Sequence, residues 1–221
     1  MKIVKAFILC FLLPIALVGC ASTNPLRKSV SELRSDIFLG QSQNYHVSAC
    51  YGFTETPFDN DAKVGVRKYF LRFKLKDKQL DNATYSISLT FADKTYSSSF
   101  KLNPVTHNDT AELLIENFNL KEFDVLISSG GVSEVVTMRS VVPENTISYT
   151  TALDYLYKYQ RKLIDSYINY DGQFNAEIYV RVIVKEQHSY YYVGIASGNG
   201  NLKALLIDGF NGDVLAIREI F

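Results

Sequence analysis

Alternation of apolar and polar side chains recurs along most of this 221-residue chain and limits its fold more than any other feature. Its longest run spans residues 174 to 185, where Phe174, Ala176, Ile178, Val180, Val182 and Val184 occupy every second position. The same spacing recurs in three other sets, namely Tyr69, Leu71, Phe73 and Leu75; Tyr85, Ile87, Leu89 and Phe91; and Phe123, Val125 and Ile127. Because successive side chains of a strand point to opposite faces, a period of two predicts half-buried strands.

Residues 45 to 142 contain about seven such strands, separated by turn-rich stretches such as 56–61 and 128–131. No helical pattern interrupts them. Short strands at this spacing are typical of an antiparallel β-sandwich, and an immunoglobulin-like or fibronectin-like form is expected.

A short helix is predicted before these strands, at residues 30–39. Ser29 and Glu32 have the spacing of a capping box, in which each side chain accepts a hydrogen bond from the other residue's backbone N–H. Val30, Leu33 and Ile37 follow at helical spacing. With this helix, the first domain is expected to span residues 29–142.

A second domain is predicted at residues 146–221, after Pro143 and a polar run. Thr151 can cap a helix whose apolar side includes Leu153, Leu156, Leu163, Ile164 and Tyr167, and which ends at Asp171–Gly172. Four strands follow, separated by the turn sequences 197–201 and 208–212. The expected fold class is therefore α+β, mostly β, with a sandwich followed by a helix and an antiparallel meander.

The first nineteen residues have the pattern of an export signal. Lys2 and Lys5 precede an apolar run from Ala6 to Val18, which is shorter than the roughly 20 residues of a membrane-spanning helix. The run ends in Leu17-Val18-Gly19-Cys20, which resembles the lipobox of bacterial lipoproteins. That resemblance implies cleavage before Cys20 and attachment of a diacylglycerol to its thiol. Residues 1–19 are then a lipoprotein signal peptide, and residues 20–28 a lipidated N-terminus and linker.

The same resemblance implies a location in the bacterial cell envelope. Ala21 follows the cysteine, whereas an acidic residue at this position retains some lipoproteins in the inner membrane. The expected site is the outer membrane of a diderm or the outer face of a monoderm's membrane. The membrane itself is one partner, and an envelope protein or glycan is the other expected partner.

The end of the chain is similar to PepSY domains. Leu205-Leu206-Ile207-Asp208 is followed by Asn211-Gly212-Asp213-Val214-Leu215, and the resemblance covers residues 150 to 220. It implies an extracytoplasmic domain with an accessory or restraining role. A generic α+β meander with an Asn-Gly hairpin turn is the other interpretation.

Composition and residue spacing argue against several functions. Without Lys2 and Lys5 the mature charge is 21 − 23 = −2, which offers no general field for nucleic acid. His46, His107 and His188 lack the spacing of a metal site, no cofactor motif is present, and Asp59-Asn60-Asp61 reads as a turn. The serines at 97–99 read as a polar strand surface, and Gly198 and Gly200 lie between strands rather than at the start of a helix. Cys50, in an apolar alternating segment, is expected to be a buried structural thiol.

Tyrosine is the feature that most suggests a function. Ten of the fifteen tyrosines lie at or after position 149, and three of them, Tyr190, Tyr191 and Tyr192, are consecutive. An exposed cluster would suit protein or glycan contact, whereas the alternative is that these rings pack the helix onto the sheet. The sequence favours a non-catalytic binding lipoprotein with these three as candidate binding residues. A hydrolase acting on peptidoglycan or peptides, with residues assembled by folding, and a structural spacer are the alternatives.

Overall fold

The computed structural model describes residues 24–77, 84–104 and 108–220, so Cys10, Cys20 and His107 lie outside it. Three helices are described: α1 (Pro25–Lys28), α2 (Tyr149–Tyr159) and α3 (Arg161–Asp165). The strands are β1 (Val30–Gln41), β2 (Tyr45–Thr56), β3 (Val66–Asp77), β4 (Tyr85–Phe91), β5 (Lys94–Ser99), β6 (Lys101–Leu102), β7 (Asp109–Leu113), β8 (Glu122–Ser129), β9 (Val132–Ser140), β10 (Glu177–Lys185), β11 (His188–Ala196), β12 (Leu202–Asp208) and β13 (Val214–Ile220). The predicted mostly β, α+β class is confirmed.

These strands form one sheet that branches at β1. One path runs β13-β12-β11-β10-β1-β2-β3-β7-β6, and the branch continues from β1 through β9, β8, β4 and β5. The β1–β10 pair is parallel, and the other pairs among the described strands are antiparallel. Because β5 approaches β7, the first nine strands curl into a nearly closed barrel.

Two apolar clusters fill the inner face of this sheet. The first lies inside the curl and includes Phe38, Ala49 and Phe73. The second lies between the sheet and the helices and includes Leu33 and Phe53. Strands β1 and β2 contribute to both clusters, so the halves of the chain on either side of Pro143 share one sheet; their division into two domains remains a prediction.

The helix predicted at residues 30–39 is instead the strand β1, and β-bulges explain the difference. Its pairing with β10 shifts between Val30 and Glu32, and its pairing with β2 shifts between Arg34 and Asp36. Each bulge inserts one extra residue into β1, so two successive inward-pointing residues are three positions apart instead of two. Val30 and Leu33 therefore both point inward three residues apart, as they would on a helix, and the next inward, buried positions are Asp36 and Phe38 rather than Ile37.

The folded part of the chain begins before residue 29, within the segment that was predicted to be a linker. Residues 25–28, assigned to the linker, form α1, in which Leu26 is fully buried. Ser29 does not open a helix but closes this one, since its backbone N–H donates to the carbonyl of Leu26. Arg27 forms an ion pair with Asp154 of α2. The segment is thus held on the second half of the chain.

The second half agrees with the predicted helix and four-stranded meander, with shifted boundaries. The Ser148 hydroxyl, rather than Thr151, caps α2 by accepting a hydrogen bond from the Thr151 amide at 3.1 Å. The helical region is broken at Gln160, after which α3 continues to Asp165. Within the described ranges no helix is long and apolar enough to span a bilayer.

The β12–β13 turn is fixed by side chains and by two glycines. Asp208 Oδ1 accepts hydrogen bonds from the amides of Phe210 (2.8 Å) and Asn211 (3.2 Å). Gly209 lies against Ser189, where a Cβ would come within 2.6 Å of the Ser189 carbonyl oxygen. Gly212 has φ +81°, and a Cβ there would overlap the Tyr155 ring of α2. The turn therefore holds the helix against the sheet.

We expect Gly212→Ala to lower the free energy of unfolding by about 2 kcal/mol, because it adds overpacking against Tyr155 to the strain of a positive φ. Gly200→Ala is the matched control, since Gly200 has φ +86° but open space around its Cβ position. Urea titration of both variants measures the difference. Equal losses would show that the Tyr155 contact does not constrain the turn.

Candidate functional site: a cationic groove on the outer face of the sheet

A groove of about 830 Å³ opens on the outer face of the sheet, across the join between the two halves of the chain. It is lined by Arg34, Ile37, Ser48, Ala49, Cys50, Arg72, Lys74, Asn103, Thr110, Arg181, Val182, Ile183 and Tyr192. We call it the outer groove. Along each strand, most of these residues alternate with residues of the two apolar clusters. Their side chains therefore lie on the opposite face of the sheet, away from the helices.

Strand register aligns the groove residues in rows across the sheet. Ile37 of β1 is opposite Cys50 of β2, which is opposite Arg72 of β3. On the other side of β1, Arg34 is in register with Arg181 of β10. Residues far apart in sequence are brought together only by the pairing of β1 with both neighbours.

The outer groove carries more positive than negative charge. Arg34 and Arg181 share one carboxylate, Glu32, at 2.9 and 3.1 Å. Arg72 donates through Nε and a terminal nitrogen to Glu112, at 2.9 and 2.8 Å. Lys74 has no ion pair within the described ranges. Four cations against two carboxylates leave an excess of two positive charges.

Cys50 lies on the floor of the groove and is partly rather than fully buried. Burial raises the pKa of its thiol, against the opposing effect of Arg34, Arg72 and Lys74. A thiol needs a lowered pKa to act as a nucleophile at neutral pH. The floor of the groove therefore suits binding better than nucleophilic chemistry.

A second depression of about 460 Å³ adjoins the outer groove and shares Ser48 and Lys74 with it. His46 and Lys76 line this extension. His188 lies elsewhere, with Nε2 at 2.9 Å from Asp208 Oδ2. In the part of the chain that the structure describes, no cluster of three His, Cys, Asp or Glu side chains could hold a metal ion.

The three consecutive tyrosines are divided between the two faces of β11. Tyr191 points inward, and its hydroxyl donates to the Ile147 carbonyl at 2.6 Å. Burial, with a contribution from Asp36, raises the pKa of Tyr191 to about 12. Tyr192 lines the outer groove, while the Tyr190 ring is tilted against His188, with the ring centroids 4.7 Å apart. The structure therefore brings only Tyr192 of this set to the candidate site.

The cations of the groove were missed from sequence, although β3 carries a signal for them. Lys68, Arg72, Lys74 and Lys76 share the outer face of one strand, with Phe70 between the first two. Overall charge hides this stripe because it averages over the whole chain. Arg34 and Arg181 give no such signal, since only folding places them beside the stripe.

A second site of interest is the pair of buried carboxyl groups Glu55 and Glu177, which are 2% and 0% exposed. They lie beneath the loop between β2 and β3. The amide of Gly65 donates to Glu55 Oε2 at 2.6 Å, and the amide of Asp61 donates to Glu177 Oε1 at 3.1 Å. Asn60 also donates, to the carbonyl of Ser197. The predicted turn at 59–61 thus holds the loop onto β10 and onto the residue that follows β11.

Glu55 is the less well satisfied member of this pair, because its Oε1 is buried and has no hydrogen-bond partner among the residues that the structure describes. Burial raises its pKa, the Gly65 hydrogen bond opposes the shift, and the charges of Glu177 and Asp61 add to it. Neither glutamate lines the outer groove or the adjoining depression. The pair is therefore placed to fasten the loop rather than to meet a substrate.

Comparison of the chain with models of known protein families and with curated protein sequences found no match to either. The function must therefore be inferred from the geometry of this chain.

Glu55→Gln is expected to stabilise the protein at neutral pH. The pKa of Glu55 is raised on folding, so its favourable contribution is complete below the unfolded pKa and is lost as pH rises through the folded pKa. The glutamine keeps the acceptor for Gly65 without a buried charge, a gain of about 1 kcal/mol.

Thermal unfolding of Glu55→Gln and wild type between pH 3 and 8 measures this effect. The difference should grow with pH and vanish in acid, while Glu144→Gln at an exposed position should show no such trend. If wild type were more stable than Glu55→Gln at pH 8, the raised pKa assigned to Glu55 would be wrong.

Proposed function

We propose that this protein is a lipid-anchored component of the bacterial cell envelope that binds an acidic segment of another envelope protein or of a surface glycan, without catalysing a reaction. The observation that carries the proposal is the excess of positive charge in the outer groove. Anchoring through Cys20 is supported by the lipobox-like sequence and by the charged and apolar segments that precede it.

The dimensions of the outer groove suit a bound chain or sugar polymer. Its volume of about 830 Å³ is within the range of small-ligand sites, and the adjoining depression lengthens it past Lys74. Arg34, Arg72 and Arg181 present planar guanidinium groups that pair well with carboxylate or phosphate. Tyr192 adds an aromatic ring at which a sugar or side chain can pack.

A binding role fits this site better than hydrolysis does. The thiol on the groove floor has a raised pKa, and the Glu55–Glu177 carboxyl pair is closed beneath a loop. A hydrolase needs such groups within reach of the substrate. The groove instead supplies donors that attract an anion and hold it.

Two finer features of the fold belong to the same proposal. Kinship of residues 146–221 with PepSY domains is supported by the order of helices and meander, and by the Asp208 to Gly212 turn. An immunoglobulin-like or fibronectin-like form for the first half is supported by its antiparallel strands and enclosed apolar core.

Lys74→Glu should weaken binding of acidic polymers about tenfold, since a charge-assisted hydrogen bond is worth roughly 1.5–3 kcal/mol. Fluorescence anisotropy with labelled poly-L-glutamate and labelled dextran sulfate measures the affinity, with neutral dextran as the reference. The first probe stands for an acidic protein segment and the second for an acidic glycan.

Lys94→Glu is the matched control, because it makes the same charge change at the exposed first residue of β5. It should bind like wild type. Equal weakening by the two variants would show that net charge, not the outer groove, governs binding. If wild type bound neither acidic probe more tightly than neutral dextran, the proposed ligand class would be wrong.

Cys20→Ser should remove the anchor. We expect the intact mass of the wild type to match a chain beginning at Cys20 with added acyl groups, and the protein to partition into detergent. The serine variant should lack that added mass and remain in the aqueous phase. An unacylated wild type, or cleavage at another residue, would overturn the proposed location.

A further inference from the structure

The first described residues are held against α2. Asn24 Nδ2 donates to the Leu153 carbonyl and to Asp154 Oδ1, both at 3.0 Å. Arg27 forms an ion pair with the same aspartate, and Leu26 is fully buried. The place at which the chain enters the fold is therefore set by α2.

Only four peptide links separate Cys20 from Asn24. Consecutive Cα atoms are 3.8 Å apart, so the two residues are within about 15 Å of each other. If Cys20 carries acyl chains, the lipid surface must come within that distance of Asn24. The side of the molecule that carries Asp154 then has to face the membrane.

The residues on that side have the chemistry of a membrane interface. Lys158 lies one helical turn after Asp154, and Arg161 and Lys162 follow in α3. All three are exposed. With Arg27 they give four positive charges against Asp154 and Asp165, an excess of two on a mature chain whose total is −2. The net charge of this surface is therefore opposite in sign to the net charge of the mature chain.

Aromatic rings accompany these cations. Tyr159 is 59% exposed and stacks on Tyr155 with ring centroids 6.0 Å apart. Lys158 Nζ lies 4.9 Å from the Tyr159 ring centroid, and the Arg161 guanidinium lies 4.4 Å from that of Tyr157. Tyrosine and lysine are enriched at the headgroup level of membranes, where an apolar body and a polar tip are both accommodated.

We propose that the surface formed by α2 and α3 lies against the headgroups of an anionic membrane. The inference rests on the proposed anchoring through Cys20 and adds the orientation of the protein. Anionic headgroups attract nearby Lys and Arg by roughly 1 kcal/mol each. Because α2 covers the inner face of the sheet, this orientation turns the outer groove away from the membrane, towards other envelope components.

The chain contains no tryptophan, which allows a direct test. Tyr159→Trp and Tyr192→Trp place a single indole on the proposed lipid side and in the outer groove, respectively. The full acylated proteins are reconstituted in vesicles of phosphatidylglycerol and phosphatidylcholine, with or without brominated acyl chains. We expect bromine to quench the indole at position 159 at least twofold more than that at position 192.

Charge complementarity is tested in the Tyr159→Trp background. Lys158→Glu combined with Lys162→Glu should reduce the quenching at position 159 at least twofold, while Lys94→Glu should leave it unchanged. Equal or stronger quenching at position 192 would overturn the proposed orientation, and no effect of the double substitution would overturn the proposed attraction to anionic headgroups.

Intact mass measured on the same samples separates the two proposals. If the protein is acylated but the indole at position 159 is not quenched, the proposed orientation is wrong and the proposed anchoring stands. If the protein lacks the acyl mass, both proposals are wrong.

Discussion

The pairing of β1 with three neighbours is the constraint on which the rest of the structure depends. Along one edge β1 pairs with β2, and along the other edge it pairs first with β10 in parallel and then with β9. The join to β10 is reinforced by the Ile178 amide donating to the Ser29 carbonyl and by the two-point contact of Arg181 with Glu32. Because one strand serves both halves of the chain, the two cores lie on one inner face. For the same reason, the outer face runs without a break from β13 to β6.

The parts of this fold that could be predicted are those in which one face of a strand is buried at every second position. Strands β3, β4, β8 and β10 were found in this way, because their inward residues meet a core along most of their length. Strand β1 was mistaken for a helix because its two bulges convert a spacing of two into three, so Val30 and Leu33 face the same way. A bulge is set by the neighbouring strand and is not visible in the local sequence.

The outer groove was missed for a related reason. Lys74 and Arg72 leave an alternating signal within β3, but Arg34 and Arg181 reach them only through the pairing of β1 with β10. The cations tolerate their proximity because they remain solvated, and because Glu32 and Glu112 neutralise half of the charge. The remaining excess of two positive charges distinguishes this face from the evenly mixed charge of an ordinary protein surface.

Alternation along β11 shows how the fold separates its two sides. Tyr191 points inward, bonds to the Ile147 carbonyl just before α2, and so helps to hold the helices on the sheet. Its neighbour Tyr192 points outward into the groove. A single strand thus contributes one tyrosine to the support of the helical surface and the next to the candidate binding site. If the helical surface rests on a membrane, the period of two that dominates this sequence also decides which side chains face the lipid-bound half of the protein and which face the rest of the envelope.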